Sequence, residues 1–197
     1  MAVNATALVT LSEAKAFLSL TSDAFDADIE RRINGLTAAF ERESNRKIKQ
    51  QTLTDYRVDG NGRTSMLLPF IPTQAVTKVQ IRYWDETIYK TITDTSKFVL
   101  ADKNLGILRL LEDVFIRGSR NVLISMSVGY LSTDNEYGKL QELLLLQLKF
   151  DWKKWDQNEI GQSARSLADG NLQFIPTGQF LREVSEGLML FKDRKAV

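Results

Sequence analysis

The spacing of apolar residues changes twice along this 197-residue chain, and the two changes decide the fold class. Apolar residues have helical spacing in residues 26–46, alternate with polar residues between residues 51 and 130, and return to helical spacing after Asp134. An α-helix repeats every 3.6 residues and a β-strand every two. The chain is therefore expected to be α+β, with a β-rich module inserted between helical segments.

Two helices are predicted before the first strand. Thr10 followed by Glu13 is a capping box, which predicts a short helix over residues 12–20. A second helix is predicted over residues 26–46, because acidic residues occupy its first turn, where the helix dipole favours them. Its apolar face is expected to consist of Ile29, Ile33, Leu36 and Phe40.

Turn residues and alternation predict an antiparallel β module. The cluster Asp59-Gly60-Asn61-Gly62 predicts a hairpin that joins strands at residues 53–58 and 63–68. Pro69 and Pro72 are expected to end the second strand. Further strands are predicted at residues 78–83, 88–91, 98–100, 105–110 and 122–130.

Helical spacing after Asp134 predicts one long helix over residues 139–155, with an apolar stripe broader than a surface helix needs. Trp152 and Trp155 extend that stripe, so they are interpreted as core or subunit-interface residues. Residues 157–173 are polar and predict an exposed loop or linker. Pro176 then marks the first turn of a short amphipathic tail, a candidate docking element because it follows a polar linker.

These elements predict a small α-helical bundle of two N-terminal helices and one long C-terminal helix, with an inserted antiparallel β-rich module and an extended C-terminal arm. The expected bundle comprises residues 1–50 and 133–156. The β module comprises residues 51–132, and the linker and arm comprise residues 157–197.

Composition excludes several kinds of chemistry. The chain has no His and no Cys, which rules out a Ser-His-Asp triad, a cysteine nucleophile and zinc sites with imidazole or thiolate ligands. Lys and Arg number 26 against 25 Asp and Glu, and no segment forms a basic arm of the kind that binds nucleic acid through phosphates. No catalytic residue, cofactor or metal ligand is therefore expected. Because it has no cysteine, the protein needs no oxidising compartment.

Taken in order, the elements resemble the head-tail connector, or adaptor, proteins of tailed bacteriophages. The resemblance rests on residues 8–18 (LVTLSEAKAFL), the acid-opened helix at residues 26–46, and Leu68-Pro69-Phe70-Ile71-Pro72 before Val76 and Val79. Residues 122–130, ending in Gly129-Tyr130, and the long helix at residues 139–155 complete it. The usual proline before the long helix is absent, and Asn135-Glu136-Tyr137-Gly138 stands in its place.

The resemblance implies a structural virion protein and no enzymatic activity. Such proteins assemble as a ring, typically of twelve copies, beneath the portal at the capsid vertex. The implied partners are further copies of the chain, the portal protein, a head-completion (stopper) or tail protein, and genomic DNA that passes through the lumen without sequence-specific binding. The implied location is the virion neck, after assembly in the host cytoplasm.

Two sets of interface residues follow from this resemblance. The C-terminal arm is expected to grip the portal through Phe174, Ile175, Pro176, Phe180, Leu181, Val184, Leu188 and Phe191. Contacts between neighbouring copies in the ring are expected at Tyr83, Trp84, Trp152 and Trp155.

Two other functions are compatible with the residues. A helix-hairpin regulator with a β insert would bind nucleic acid, and it would need a contiguous basic face on residues 26–50, where acidic residues are interspersed. An enzyme based on carboxylates or lysine would need a pocket with convergent acids, and the sequence shows no such set.

Overall fold

The computed structural model describes residues 2–83, 88–92, 96–156, 164–166, 172–174 and 180–192. For Asp156, residues 164–166 and residues 172–174, it describes the backbone alone. The chain separates into a helical unit, residues 1–44 with 138–197, and a β unit, residues 45–137. With helices and antiparallel sheets in one chain, the predicted α+β class is confirmed. No helix of the described residues is both long and apolar enough to cross a membrane.

Four helices are present in the described part of the chain: α1 (Leu11–Leu18), α2 (Asp26–Ser44), α3 (Asn135–Asp156) and α4 (Arg182–Phe191). The predicted capping box at Thr10 is confirmed, since the Thr10 hydroxyl accepts the Glu13 N–H and the Glu13 carboxylate accepts the Thr10 N–H. Lys15 of α1 pairs with Asp26 at 2.8 Å, and Asp28 pairs with Arg31. The acidic start of α2 therefore makes specific ion pairs as well as meeting the helix dipole.

The helical unit buries one face of α2 and one of α3. On α2 the buried apolar residues are Ile29, Ile33 and Phe40, as the spacing predicted, while Leu36 of the same predicted face is half-buried. The segment before α1 is tied to both helices at Leu8, whose N–H donates to Thr37 of α2 and whose carbonyl accepts from Gln141 of α3. These contacts join residues up to 133 positions apart in the sequence.

The β unit holds a four-stranded and a three-stranded antiparallel sheet. The first has the order β1 (Gln51–Gly60), β7 (Gly118–Val128), β3 (Thr73–Ile81), β4 (Lys90–Ile92). The second has the order β2 (Ser65–Leu67), β6 (Ile107–Leu110), β5 (Phe98–Asp102). The two sheets share one apolar core, which includes Met66, Leu108 and Leu110 from the small sheet and Val79, Ile81, Val122, Ile124 and Met126 from the large one.

The predicted hairpin at Gly60-Asn61-Gly62 is wrong. β1 pairs with β7, and β2 pairs with β6 in the other sheet. At the end of β1 the Gly60 N–H donates to the Asn121 side chain at 2.9 Å. A Cβ on Gly60 would lie 1.9 Å from the Ile116 carbonyl oxygen, so only glycine fits there. Gly60 therefore allows the end of β1 to lie close to Ile116 and Asn121, about sixty residues later in the sequence.

The C-terminal region also differs from the sequence prediction. Two short antiparallel strands, β8 (Ala164–Ser166) and β9 (Leu172–Phe174), lie largely within the segment predicted to be a loop. Helix α4 begins at Arg182. Pro176 predicts a helix start six residues before Arg182. Residues 175–179 lie outside the described residues.

The first prediction concerns Asn121, which is 6% exposed. Its amide accepts from Gly60 and donates to the Ile116 carbonyl oxygen at 2.7 Å. Asn121→Ala leaves both backbone groups without this partner, and we expect the free energy of unfolding to fall by about 1–3 kcal/mol. Chemical denaturation measures it. Ser119→Ala, at an exposed position of the same strand, is the control and is expected to change stability by at most about 0.5 kcal/mol. Equal losses in the two variants would contradict this role.

The second prediction concerns Asp151 of α3. Burial raises the pKa of this carboxyl above its ordinary value of 3.8, while hydrogen bonding from Gln147 and the charges of Arg32 and Lys154 act in the opposite direction. The charged form is therefore less favourable in the folded chain than in the unfolded chain. This penalty is complete above the folded-state pKa and vanishes below the unfolded-state pKa.

Asp151→Asn keeps an acceptor for Gln147 and removes the charge. We expect it to raise the melting temperature at pH 7, with the difference from wild type shrinking as the pH falls to 3. Thermal unfolding followed by circular dichroism across this pH range measures the effect. Glu142→Gln, at an exposed position of the same helix, is the control. A destabilising Asp151→Asn at pH 7 would show that the carboxylate is net favourable.

Candidate functional site

Helix α4 packs its apolar face against α2 and α3 within the helical unit. Val184 and Leu188, two of the residues assigned to the docking arm, are both 0% exposed. Phe180, just before the helix, meets Phe40 of α2 edge to face, with ring centroids 5.4 Å apart. Leu181 and Phe191 are half-buried. In the single chain, these arm residues therefore cover part of the helical core.

Three contacts fix the position of α4. The Leu181 N–H donates to the Gln147 side-chain oxygen at 2.8 Å, and the Gln147 amide donates to Asp151 at 2.9 Å. A Cβ on Gly187 would lie 2.7 Å from a methyl carbon of Leu143, so the α4 backbone approaches α3 closely. At the other end, Lys192 pairs with Glu43 at 3.0 Å. We call the surface formed by Phe40, Glu43, Leu143 and Gln147 the α4 seat.

The opposite side of α4 is exposed and partly apolar. Met189 is 61% exposed and Leu190 is 85% exposed, beside the ion pair between Arg182 and Glu186. These four residues form the outer α4 face, and a face with two large exposed apolar side chains is suited to a protein partner. Met189 and Leu190 were not predicted from the sequence, because helical spacing singled out only the apolar face that the structure buries.

The remaining arm residues are incompletely described. Phe174 ends strand β9, where the backbone alone is described. Ile175 and Pro176 lie outside the described residues, and so does Trp84 of the expected ring interface.

The two tryptophans expected at a ring interface lie together at the end of α3. Their ring centroids are 4.9 Å apart, and each meets Phe25 edge to face, at 5.4 Å for Trp152 and 5.5 Å for Trp155. Both side chains are half-buried. The cluster therefore closes one end of the helical unit and leaves part of its aromatic surface exposed.

Tyr83 lies in the β unit, directly after β3. Its hydroxyl donates to the Asp113 carboxylate at 3.0 Å, and the Lys90 ammonium lies 5.7 Å from the ring centroid. These two contacts hold a half-buried aromatic ring close to the surface.

The β unit also has an exposed apolar surface that the sequence analysis did not single out. Leu67 of β2 and Val99 of β5 are 64% and 43% exposed, on the side of the small sheet away from its core. Ile107 of β6 lies between these strands and is half-buried. The run Met66-Leu67-Leu68 could have predicted this surface, because successive side chains of a strand point to opposite faces, so one of two consecutive apolar residues lies on the outer face.

The outer face of the large sheet carries one ion pair between its strands. Asp55 of β1 accepts from Lys78 of β3 at 2.6 Å and from the Ser125 hydroxyl at 3.2 Å. The hydrogen bond from Lys78 is the main cause of a lowered Asp55 pKa.

Along α2, Arg31 pairs with Asp28, and Glu43 pairs with Lys192. Charge pairing on α2 is the opposite of the contiguous basic face that a nucleic-acid-binding helix requires.

The acidic residues of the described ranges are dispersed. No group of three or more carboxylates among them is arranged to hold a metal ion. The acids with altered pKa values, Asp23, Asp55 and Asp151, do not converge: the first two pair with lysines, and the third accepts from Gln147. The exposed apolar surfaces at Leu67, Val99, Met189 and Leu190 are candidate interaction sites in the described part of the chain.

The chain is similar to one protein family in sequence and to chains of particle necks in fold. The sequence model of the family described as "Head completion protein" matches residues 7–176. The fold matches a chain in the neck of an empty gene transfer agent (GTA) particle, computed with C6 symmetry, with a TM-score of 0.59 and 16% identity over 100% of this chain and 95% of that chain. A chain in the neck of the native particle, computed with C12 symmetry, matches with a TM-score of 0.55 and 15% identity, covering 100% and 94%.

No curated protein sequence matches the chain. The family match spans most of the chain and confirms the resemblance to phage connector proteins, while the structural matches, at such low identity, establish a shared fold. The chain belongs to the head completion protein family.

Proposed function

We propose that this protein is a non-enzymatic adaptor of a tailed virus or a related particle, forming a ring beneath the portal at the capsid vertex. The ring extends the DNA channel and provides the attachment platform for the next neck or tail component. Its partners are further copies of the chain, the portal protein, and a head-completion (stopper) or tail protein. Its location is the virion neck, after assembly in the host cytoplasm.

The observation that carries this proposal is the fold match over the whole chain to proteins of particle necks, one of them computed with C12 symmetry. By analogy with the neck computed with C12 symmetry we infer a ring of twelve copies for this chain; the neck of the empty particle was computed with C6 symmetry. The near balance of 26 basic and 25 acidic residues suits a channel through which DNA passes without being held.

The portal contact is assigned to the C-terminal arm, residues 174–191. Because Val184 and Leu188 are buried, the outer α4 face is, among the described residues of the arm, the surface that can meet a partner in the single chain. We therefore add Met189 and Leu190 to the residues expected to contact the portal. Contacts between copies are assigned to Tyr83 and Trp84 in the β unit and to Trp152 and Trp155 in the helical unit.

The third prediction tests the portal contact by co-sedimentation of the purified protein with the portal ring of the same particle. We expect wild-type protein to sediment with the portal in ring stoichiometry. Leu190→Glu places a charge on the outer α4 face, and we expect it to weaken portal binding at least tenfold, a loss of about 1.4 kcal/mol or more. Because Leu190 is 85% exposed, folding stability is expected to stay within about 0.5 kcal/mol of wild type.

The matched control is Ile88→Glu, which places the same charge at a 77% exposed position in the β unit. It is expected to keep portal binding. A point variant is preferable to truncation after Gln173, because truncation also uncovers the α4 seat. Full binding by Leu190→Glu would remove the outer α4 face from the portal contact. Failure of the wild-type protein to sediment with the portal would contradict the adaptor function.

A further inference from the structure

We propose that Asn61 is a site of spontaneous covalent modification in the folded protein, where attack by the Gly62 backbone nitrogen converts the side-chain amide to an acid. The sequence contains two Asn-Gly dipeptides, Asn34-Gly35 and Asn61-Gly62. The structure makes them unequal, because the first lies in the middle of a helix and the second in an exposed loop. Because the reaction takes place within one chain, it does not depend on the proposed ring.

The reaction requires water and no other partner. The backbone nitrogen after the asparagine loses its proton and bonds to the side-chain carbonyl carbon. The side-chain nitrogen leaves as ammonia, which carries away that proton. Water then opens the cyclic imide at either of its carbonyls and yields aspartate or isoaspartate. Glycine at the following position favours the attack, because it has no Cβ to obstruct the nitrogen and its backbone is the least restricted.

The loop at residues 61–64, which joins β1 to β2, is exposed at every position. Gly62 has a positive φ of 77°, and a Cβ added there would meet the Cβ of Arg117 at 3.6 Å, an ordinary contact distance. The space around the attacking nitrogen is therefore open, and both reacting groups are accessible to water.

Three hydrogen bonds restrain the reacting groups while this loop is closed. The Gly62 N–H donates to the Phe115 carbonyl oxygen at 2.6 Å, so the nucleophile keeps its proton. The Asn61 amide donates to the Ser65 carbonyl oxygen at 2.8 Å and accepts the Arg63 N–H at 2.9 Å. The reaction therefore needs a local opening that releases the loop from Phe115. Exposed loops open at a much smaller free energy than core helices or strands do.

Asn34-Gly35 has the same chemistry under a stronger restraint. Gly35 lies in the middle of α2, where each N–H bonds to the carbonyl four residues earlier. The neighbouring Ile33 is 0% exposed, so opening the helix here uncovers apolar surface. The Asn34 side chain also accepts the Asn4 N–H at 2.9 Å and donates to the Ala2 carbonyl oxygen at 3.2 Å. We therefore expect Asn34 to react when the helical unit unfolds.

Conversion of Asn61 weakens the closed loop. The new carboxylate has no N–H to donate, so the hydrogen bond to the Ser65 carbonyl oxygen is lost. In the isoaspartate product the Cβ carbon also joins the main chain, which changes the path of the backbone before Gly62. An opening of the loop that is otherwise reversible thus leaves a permanent change.

The fourth prediction compares the two asparagines in one sample. Purified full-length protein is incubated at mildly alkaline pH and digested at intervals, and peptide mass spectrometry measures the fraction of acid at each asparagine. In the folded protein we expect Asn61 to react at least about tenfold faster than Asn34. In guanidinium chloride, where both dipeptides are unfolded, we expect the two rates to converge and Asn61 to react faster than in the folded protein.

Asn121→Ala tests the restraint at Phe115. The Asn121 side chain bonds to Gly60, which precedes Asn61, and to Ile116, which follows Phe115. Its loss is expected to loosen both attachments and to speed the reaction at Asn61 at least about threefold. The rate at Asn34, in the helical unit, is expected to stay unchanged. Ser119→Ala is the matched control and is expected to change neither rate.

Several results would overturn the assignment. In the folded protein, equal rates at the two asparagines or a faster reaction at Asn34 would show that the loop does not single out Asn61. Reaction of Asn61 in guanidinium chloride alone would show that the closed loop never opens far enough. An unchanged Asn61 rate in Asn121→Ala would contradict control of the reaction by the contact with Phe115.

Discussion

The burial of α4 in its seat is the contact on which the arrangement of the helical unit depends. Helices α2 and α3 each present an apolar face, and the α4 segment meets both, with Phe180 against Phe40 of α2 and Gly187 close to Leu143 of α3. Gln147 makes the contact specific, because its side chain accepts from the start of α4 and donates to Asp151 of its own helix.

The β unit is held together by a shared apolar core and by pairing of strands that lie far apart in the sequence. Its two sheets share one apolar core, and the strands adjacent in each sheet are mostly distant in sequence. Asn121 joins the end of β1 to the turn before β7 through Gly60 and Ile116. Each unit thus has its own core, and the outer α4 face and the outer side of the small sheet, with Leu67 and Val99, are left exposed. Such surfaces are typical of a protein whose function is assembly.

Local signals in the sequence predicted local structure well. Thr10 and Glu13 predicted α1 because a capping box acts within one turn, and the spacing of Ile29, Ile33 and Phe40 predicted the buried face of α2. The pairing of β1 was not predictable from the Gly60-Asn61-Gly62 cluster, because its partner β7 lies some sixty residues away. Strands β8 and β9 were missed because they are short and their surroundings are polar.

The site was predicted less completely than the fold, for a related reason. Helical spacing showed that Val184 and Leu188 lie on an apolar face but not which surface covers that face. That surface is formed by α2 and α3, which precede α4 by tens of residues. Met189 and Leu190 lie on the other side of the same helix, and only the packing of α4 shows that they are exposed.

The measurement that tests the central claim most directly is a cryo-electron microscopy reconstruction of the protein bound to its portal ring. The account predicts a closed ring of copies on the axis beneath the portal, with an open central channel and the outer α4 face against the portal. Copies bound singly around the portal, without a continuous ring or an axial channel, would contradict it.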